Sequence, residues 1–327
     1  MNALVIGAGS VGQVLAYYLH RGGNKVTFFV REEAAEGIQQ GLVLYHLNKR
    51  NARRQPIHHG GFDVKTLWTQ LGDESWDQIY LCVPSDGLRK KMLAGLKNHA
   101  QDSTIIKIQP GLRDRRAIRT YFEDSVVVTG MISFLGYRAP LKGEDVPEPG
   151  MAYWFPPFLS TLFSGSENRV QEVLHVLSHG GLPVTQHRDV EQLVGYVLAL
   201  QAPLIAGLDC TSWSLREFAR SPWLKVANLA IKEATLVVSR YLGTKPPLVV
   251  KALNRTILRL GLELLPKQNP IPLEAYLESH YTKLRNQSLQ HLDDYIELGI
   301  ESGLPVQALK DLRQDLTKRA KKRSDHE

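Results

Sequence analysis

The sequence predicts an α/β chain: a doubly wound parallel sheet over residues 1–187, followed by an all-α domain over residues 188–327. Three observations carry this reading. Short apolar runs bounded by turn signals alternate with helical spacing through the first half, as strands buried on both faces of a parallel sheet require. The first run passes into a helix through Gly7-Ala8-Gly9-Ser10-Val11-Gly12. After Arg188 the strand-like runs stop and only helical patterns remain.

Residues 3–6 read as the first strand and 11–19 as the first helix, which stops at Gly22-Gly23-Asn24. A second strand over 25–30 completes a βαβ unit within about 30 residues. Further strands are expected at 78–83, 104–108 and 125–131, with helices over 86–99 and 114–122 between them. The aromatic and proline-rich stretch 151–164 should add strands at the far end of the sheet. A helix over 167–178 and a strand over 182–186 close the domain. In the second half, Asp189-Val190-Glu191-Gln192 has capping-box spacing ahead of a long apolar helix. Ser221-Pro222 opens another helix, with proline tolerated at its first position. Helices over 249–264, 273–301 and 305–319 follow, and the basic run Lys318-Arg319-Ala320-Lys321-Lys322-Arg323 reads as a solvated end.

Composition narrows the function. With 43% hydrophobic and 22% charged residues the chain is ordinary globular material, and a net charge of +7 suits a protein that handles anions such as a phosphorylated cofactor or a carboxylate. Two cysteines, Cys82 and Cys210, are too few for a disulfide framework or a cysteine-built zinc site. His58-His59 is adjacent rather than at ligand spacing, so no metal is expected. The basic cluster Lys49-Arg50-Asn51-Ala52-Arg53-Arg54 and the arginines 113, 115, 116 and 119 have no interleaved aromatics, so no nucleic-acid partner is expected. The longest apolar run, 196–208, is broken by Gln201 and Pro203 and falls short of the roughly 20 residues a membrane span needs. The first strand starts by Ala3 with no cleavable apolar stretch before it, and a cytoplasmic location is expected.

The glycine loop lies between a strand and a helix, the context in which such a loop cradles a dinucleotide. Gly7 permits the tight turn, Gly9 lets the backbone approach a pyrophosphate, and Gly12 lets helix and strand pack closely. The helix N-terminus that follows offers free N–H groups and partial positive charge. These features point to a Rossmann domain with Gly7, Ala8, Gly9, Ser10, Val11 and Gly12 on the cofactor. Arg31, just past the second strand, can pair with a 2′-phosphate and so points to NADP(H). Glu32 and Glu33 come next, and either can approach the ribose hydroxyls, which keeps NAD(H) open.

With these residues in view, the chain resembles the ketopantoate reductase (2-dehydropantoate 2-reductase) family. The resemblance rests on Gly7 to Gly12 and Arg31, on Ala202-Pro203-Leu204, on Leu292-Asp293-Asp294-Tyr295-Ile296 and on Gly303-Leu304-Pro305. It implies reduction of a 2-oxo acid by NADPH, with a Rossmann domain followed by a helical one that in relatives often forms a homodimer. It also implies an asparagine after the fifth strand where Pro110 stands, and so implies that Gln109 and Pro110 there, with Val83 and Pro84 after the fourth strand, line the cofactor crevice. Its proton-donating lysine and a nearby asparagine fall on Val194 and Leu198, its substrate-binding glutamate on Leu292, and a further lysine on Pro84. Val83-Pro84-Ser85 is more similar to glycerol-3-phosphate dehydrogenases.

Hydride delivery to a ketone builds alkoxide charge that a positioned acid or cation must meet, and valine and leucine cannot meet it. Gln201, seven residues after Val194, points from nearly the same helix face and can orient a substrate. Tyr196 sits about 200° away around the helix, as a candidate acid or a packing residue. His280 and Lys283, three apart, can share a face; either can supply a proton, Lys283 can also hold a carboxylate, and a solvated face would carry the same residues. The candidate catalytic residues are therefore Lys283, His280 and Gln201, with Asn286 and Gln287 nearby. The arginines around Gly111 are placed to attract an anionic substrate lying between the domains. Two readings follow: an NADPH-dependent reductase of a small oxo acid with replaced acid–base groups, or an NADP(H)-binding module that acts through a partner.

Overall fold

The computed structural model describes residues 1–48, 55–88, 91–268 and 271–324; the basic cluster of residues 49–54 lies outside them. The chain divides into two compact units, Met1–Pro110 with Asp114–Glu191, and Gly111–Arg113 with Gln192–Glu327.

The first unit is an α/β domain. Its strands are β1 (Asn2–Ile6), β2 (Lys25–Phe29), β3 (Leu42–His46), β4 (Ile57–His59), β5 (Asp63–Lys65), β6 (Gln78–Leu81), β7 (Thr104–Lys107), β8 (Val127–Met131), β9 (Leu135–Ala139), β10 (Gly150–Trp154), β11 (Thr161–Ser164) and β12 (Val184–Gln186). Its helices are α1 (Ser10–Arg21), α2 (Glu32–Gln39), α3 (Lys91–Ala100), α4 (Asp114–Arg119) and α5 (Glu167–His179). Eight strands form one sheet in the order β12-β11-β8-β7-β6-β1-β2-β5. The pairs are parallel except β8 with β11. Strand order reverses at β1, which has β2 on one side and β6 on the other, so the loops leaving β1 and β6 flank the switch point. Apolar side chains alternate to the two faces. Ala3, Val5 and Phe28 join one core with α1 and α5, and Leu4, Ile6 and Ile79 join another with α3.

The stretch expected to extend the main sheet splits instead. β11 joins that sheet, whereas β10 pairs with β3 and β9 in a second sheet of order β4-β3-β10-β9. This sheet exists because α1 carries two bulky aromatics, Tyr17 and Tyr18, that need covering. Tyr153 of β10 meets Tyr18 edge-on with 3.3 Å between their hydroxyls, and Phe155 packs beside it.

The second unit is helical: α6 (Val190–Asp209, begun in the first unit), α7 (Leu215–Arg220), α8 (Trp223–Leu242), α9 (Leu248–Ala252), α10 (Arg255–Gln268), α11 (Leu273–Lys283), α12 (Arg285–Glu301) and α13 (Gln307–Ser324). α6 has the length and mean hydropathy (1.3) of a membrane span, and 56% of that stretch is buried inside the protein. Two expected helices are each broken in two. Between α9 and α10, Asn254 Oδ1 accepts from the N–H groups of Thr256 and Ile257 and so starts a new helix. Between α11 and α12 the backbone leaves helical values at Leu284 (φ −98°, ψ 21°), where Arg285 reaches the buried Asp209 at 2.8 Å. Glu233 of α8 caps α13 by accepting from the N–H groups of Ala308 and Leu309.

One charged pair is sealed inside the first unit. Lys107 of β7 has a fully buried side chain, and its ammonium lies 2.9 Å from Glu191 Oε2, which Thr129 also reaches. Each charge depends on the other, since either alone would be left desolvated. Lys107→Met should therefore cost about 3–5 kcal/mol in urea unfolding, and adding Glu191→Leu should recover most of it. Additive losses in the double variant would show that the two charges do not depend on each other.

Candidate functional site

β1 delivers the chain to Gly7, whose N–H donates to the Phe29 carbonyl of β2 at 3.0 Å. Gly7 has φ +99°, and a Cβ there would stand 2.9 Å from the Cys82 carbonyl oxygen, so the turn admits glycine alone. Gly12 backs onto the Gly7 carbonyl oxygen, which any side chain at Gly12 would overlap. Gly9 is different: it is exposed, and nothing lies within 4 Å of where its Cβ would be. α1 has no acidic residue in its first turn and no side-chain cap. Its leading N–H groups and positive dipole end thus face outward from Gly9, Ser10 and Val11. Gln13 braces the loop, its backbone N–H donating to the Gly9 carbonyl and its Nε2 to the Ala8 carbonyl, each at 3.0 Å. An open glycine and an uncapped helix start without acidic residues fit a dinucleotide pyrophosphate.

Arg31 directly precedes α2 with extended backbone. Its side chain is 91% exposed and, among the described residues, makes a single loose ion pair with Glu33 at 4.0 Å, worth little in water, which leaves the guanidinium open to solvent. Beyond β6, Val83 and Pro84 lead away from Cys82, whose thiol is pushed up by burial and stays protonated. Gln109, buried just past β7, donates Nε2 to the carbonyls of Leu81 and Val83 at 2.7 Å each. Those two acceptors fix the amide's orientation, and its Oε1 has no partner among the described residues. Gly7 to Gly12, Val83, Gln109 and Pro110 therefore gather at the carboxyl edge of β1, β6 and β7.

In the second unit Gln201 lies exposed on α6, and its Nε2 donates to the phenolic oxygen of Tyr281 on α11. Tyr281 is followed in the local cluster by His280, edge-on at 4.9 Å, and by Trp213, near-parallel at 6.4 Å. His280 also stacks on Tyr276. Burial, helped by the Lys283 charge, pushes His280 down to about 4, so it is a neutral imidazole at physiological pH. Lys283 is exposed at the end of α11. The structure thus brings Gln201 and His280 together through Tyr281, which sequence spacing did not single out; the only local signal was its position beside His280.

The positions that the resemblance equates with polar catalytic groups are core positions here. Leu198 and Leu292 share one apolar cluster with Ala199, Leu298 and Leu309, and Leu292 is fully buried. Val194 is buried as well. Tyr196 packs inside the same cluster with its hydroxyl on Ser239 and Thr244. Cys210 donates to Asp315, and burial pushes its thiol up. Of the arginines around Gly111, Arg113 pairs with Asp294, Glu297 and Glu301, and Arg115 and Arg119 pair with Asp124. His58 pairs with Glu148, and His59 Nε2 lies 2.8 Å from His20 Nδ1. Among the described residues no group of three or more potential metal ligands converges.

Two outcomes follow from this geometry. Gly12→Ala should lower stability by about 1–3 kcal/mol through overpacking against Gly7, whereas Gly9→Ala should cost less than about 1 kcal/mol; thermal melts of both variants check the contrast. His280 binds its proton more weakly folded (about 4) than unfolded (about 6.5). Protons therefore favour unfolding: its contribution is complete above about pH 6.5 and is lost as pH falls toward 4. Replacing His280 by Gln should flatten the melting temperature across that window, and an unchanged slope would remove His280 as its source.

Residues 3–142 match the family model of ketopantoate reductase PanE/ApbA. Among curated proteins, an uncharacterized oxidoreductase, YkpB, of Bacillus subtilis (strain 168) is 39% identical over 69 residues, which is 20% of this chain and 23% of the relative's length. A PanE/ApbA family ketopantoate reductase from Ralstonia eutropha JMP134 superposes with a TM-score of 0.76 at 16% identity, covering 99% of this chain and 100% of that one. D-mandelate dehydrogenase solved with NADH gives a TM-score of 0.71 at 14% identity over 98% of each chain. A 2-dehydropantoate 2-reductase from Geobacter metallireducens GS-15 gives 0.72 at 13% identity, over 98% of this chain and 100% of that one. Residues 3–142 are thus similar to the ketopantoate reductase PanE/ApbA family model, and the full length shares the fold of solved ketopantoate reductase structures.

Proposed function

We propose that this chain is an NADPH-dependent oxidoreductase of the cytoplasm that reduces a small 2-oxo acid or a related anion. The observation that carries the reading is the start of α1, with an exposed Gly9 and no competing acidic or capping side chain. The pyrophosphate would rest on the N–H groups from Gly9 to Gly12, and the exposed Arg31 would pair with a 2′-phosphate. Val83, Pro84, Gln109 and Pro110 would border the nicotinamide end. When bound, the reduced nicotinamide supplies a hydride. For the substrate, D-mandelate dehydrogenase of the same fold was solved with NADH and anilino(oxo)acetate, which supports an oxo-acid class. Lys283 would hold the carboxylate as an exposed ammonium, and Gln201 and neutral His280 would orient the carbonyl by hydrogen bonding.

A second reading, an NADP(H)-binding module without turnover, is favoured by Leu198 and Leu292, which are sealed in the core where the family resemblance expects polar groups. Consumption of NADPH with any 2-oxo acid separates the two.

Fluorescence titration tests the cofactor. NADPH should bind more tightly than NADH, and Arg31→Ala should weaken NADPH roughly 10–100-fold, about 1.4–2.8 kcal/mol, while leaving NADH unchanged. Gly9→Ala should weaken both nucleotides. Equal affinities in the wild type would overturn the NADP assignment, and binding of neither would overturn the function.

A further inference from the structure

We infer that the second unit carries an anion-binding pocket between α12 and α13 whose ligand is a phosphomonoester. The pocket lies wholly within that unit, and its volume of about 350 Å³ falls at the small end of ligand pockets, roughly 300–1,000 Å³. Asp293 and Ile296 of α12 form one wall, and Lys310, Arg313, Thr317 and Lys318 of α13 form the other. Residues 310, 313 and 317 recur at helical spacing and so share a face. The opposite side of α13 is anchored by Leu309, Leu312 and Leu316, all buried. Lys318, the first residue of the basic run expected to be a solvated end, stands on the rim of this pocket.

Arg313 is the fixed point of the pocket. Its Nε donates to Asp293 Oδ1 at 2.8 Å and its Nη2 to Asp293 Oδ2 at 3.1 Å. Its Nη1 donates to Thr317 Oγ1 at 3.2 Å, and the Thr317 hydroxyl donates in turn to the Arg313 carbonyl at 2.9 Å. The guanidinium is therefore held in one orientation from both sides. Each terminal nitrogen bears a second N–H, and neither of these has an acceptor among the described residues. A planar donor pair oriented in advance matches the oxygens of a phosphate or carboxylate and loses little freedom on binding.

Charge selects between those ligands. Lys310 and Lys318 are exposed, and neither pairs with a carboxylate among the described residues. Lys310 lies one turn before Arg313 and Lys318 just over one turn after it, so both flexible stems reach toward the guanidinium. Lys310, Arg313 and Lys318 face a lone lining carboxylate, Asp293, which leaves an excess of two positive charges. A simple carboxylate would answer half of that excess, whereas a phosphomonoester carries about −1.5 to −2 at pH 7 on a single group that the arginine can grip. Ile296, half-buried on the facing helix, offers apolar surface to the carbon part of the ester.

The test is calorimetric titration of the full-length protein with phenyl phosphate, inorganic phosphate and succinate. Phenyl phosphate should bind, and inorganic phosphate should bind more weakly because it leaves Ile296 uncovered. The double variant Lys310→Ala with Lys318→Ala, at two exposed positions, should weaken phenyl phosphate roughly 10-fold or more and leave Arg31→Ala-sensitive nucleotide binding untouched. Arg313→Lys keeps the charge and removes the fork, and it should weaken phenyl phosphate as well. Should Arg313→Lys not fold, the double lysine variant decides. A wild type that does not bind phenyl phosphate overturns the pocket, as does binding that is unchanged in the double lysine variant and so lies elsewhere. Succinate binding as tightly as phenyl phosphate overturns the phosphate assignment, and equal affinity for inorganic phosphate overturns the organic ester as the ligand.

Discussion

Gly7 and Gly12 set the close approach of β1 and α1 on which the first unit depends. The carbonyl oxygen of Gly7 lies where any side chain of Gly12 would stand, and Gly7 itself adopts φ +99° against the backbone of Cys82. Because both positions are reduced to backbone, β1 can pass into α1 at a distance no other residues allow. Several features depend on that short passage. α1 lies directly on the sheet, its aromatics Tyr17 and Tyr18 require the second sheet as a cover, and its uncapped start opens at the edge where strand order reverses.

The second unit is packed with apolar side chains at positions where the family resemblance implies polar ones. Leu198 and Leu292 fill one apolar cluster with residues of α12 and α13. A lysine or carboxylate at either position would have to be paired or neutralised to sit there. Gln201, Tyr281 and His280 form a separate polar cluster where α6 meets α11. The break at Leu284 belongs to the same arrangement. It ends α11 just after His280 and Lys283, and it lets Arg285 turn to the buried carboxylate of Asp209.

Much of this was legible in the sequence because it is local. Apolar runs of strand length, a glycine loop between strand and helix, and the loss of strand signals after Arg188 each depend on neighbours within a few residues. What escaped was non-local or weakly patterned. β3, β4 and β9 are short, and they earn their place only by covering α1. The helix breaks at Asn254 and Leu284 are fixed by one capping side chain and one buried ion pair that periodicity does not register.

The sequence by itself determined the main alternation of strands and helices in the first half, the change of class near Arg188, and the glycine loop between β1 and α1, since each follows from backbone geometry and side-chain period. Only the tertiary structure decided that Lys107 and Glu191 neutralise each other, that Leu198 and Leu292 lie in a closed core, and that Gln201 meets Tyr281 across 80 residues of chain. Those outcomes turn on which distant elements pack together and so on desolvation, which no local pattern encodes.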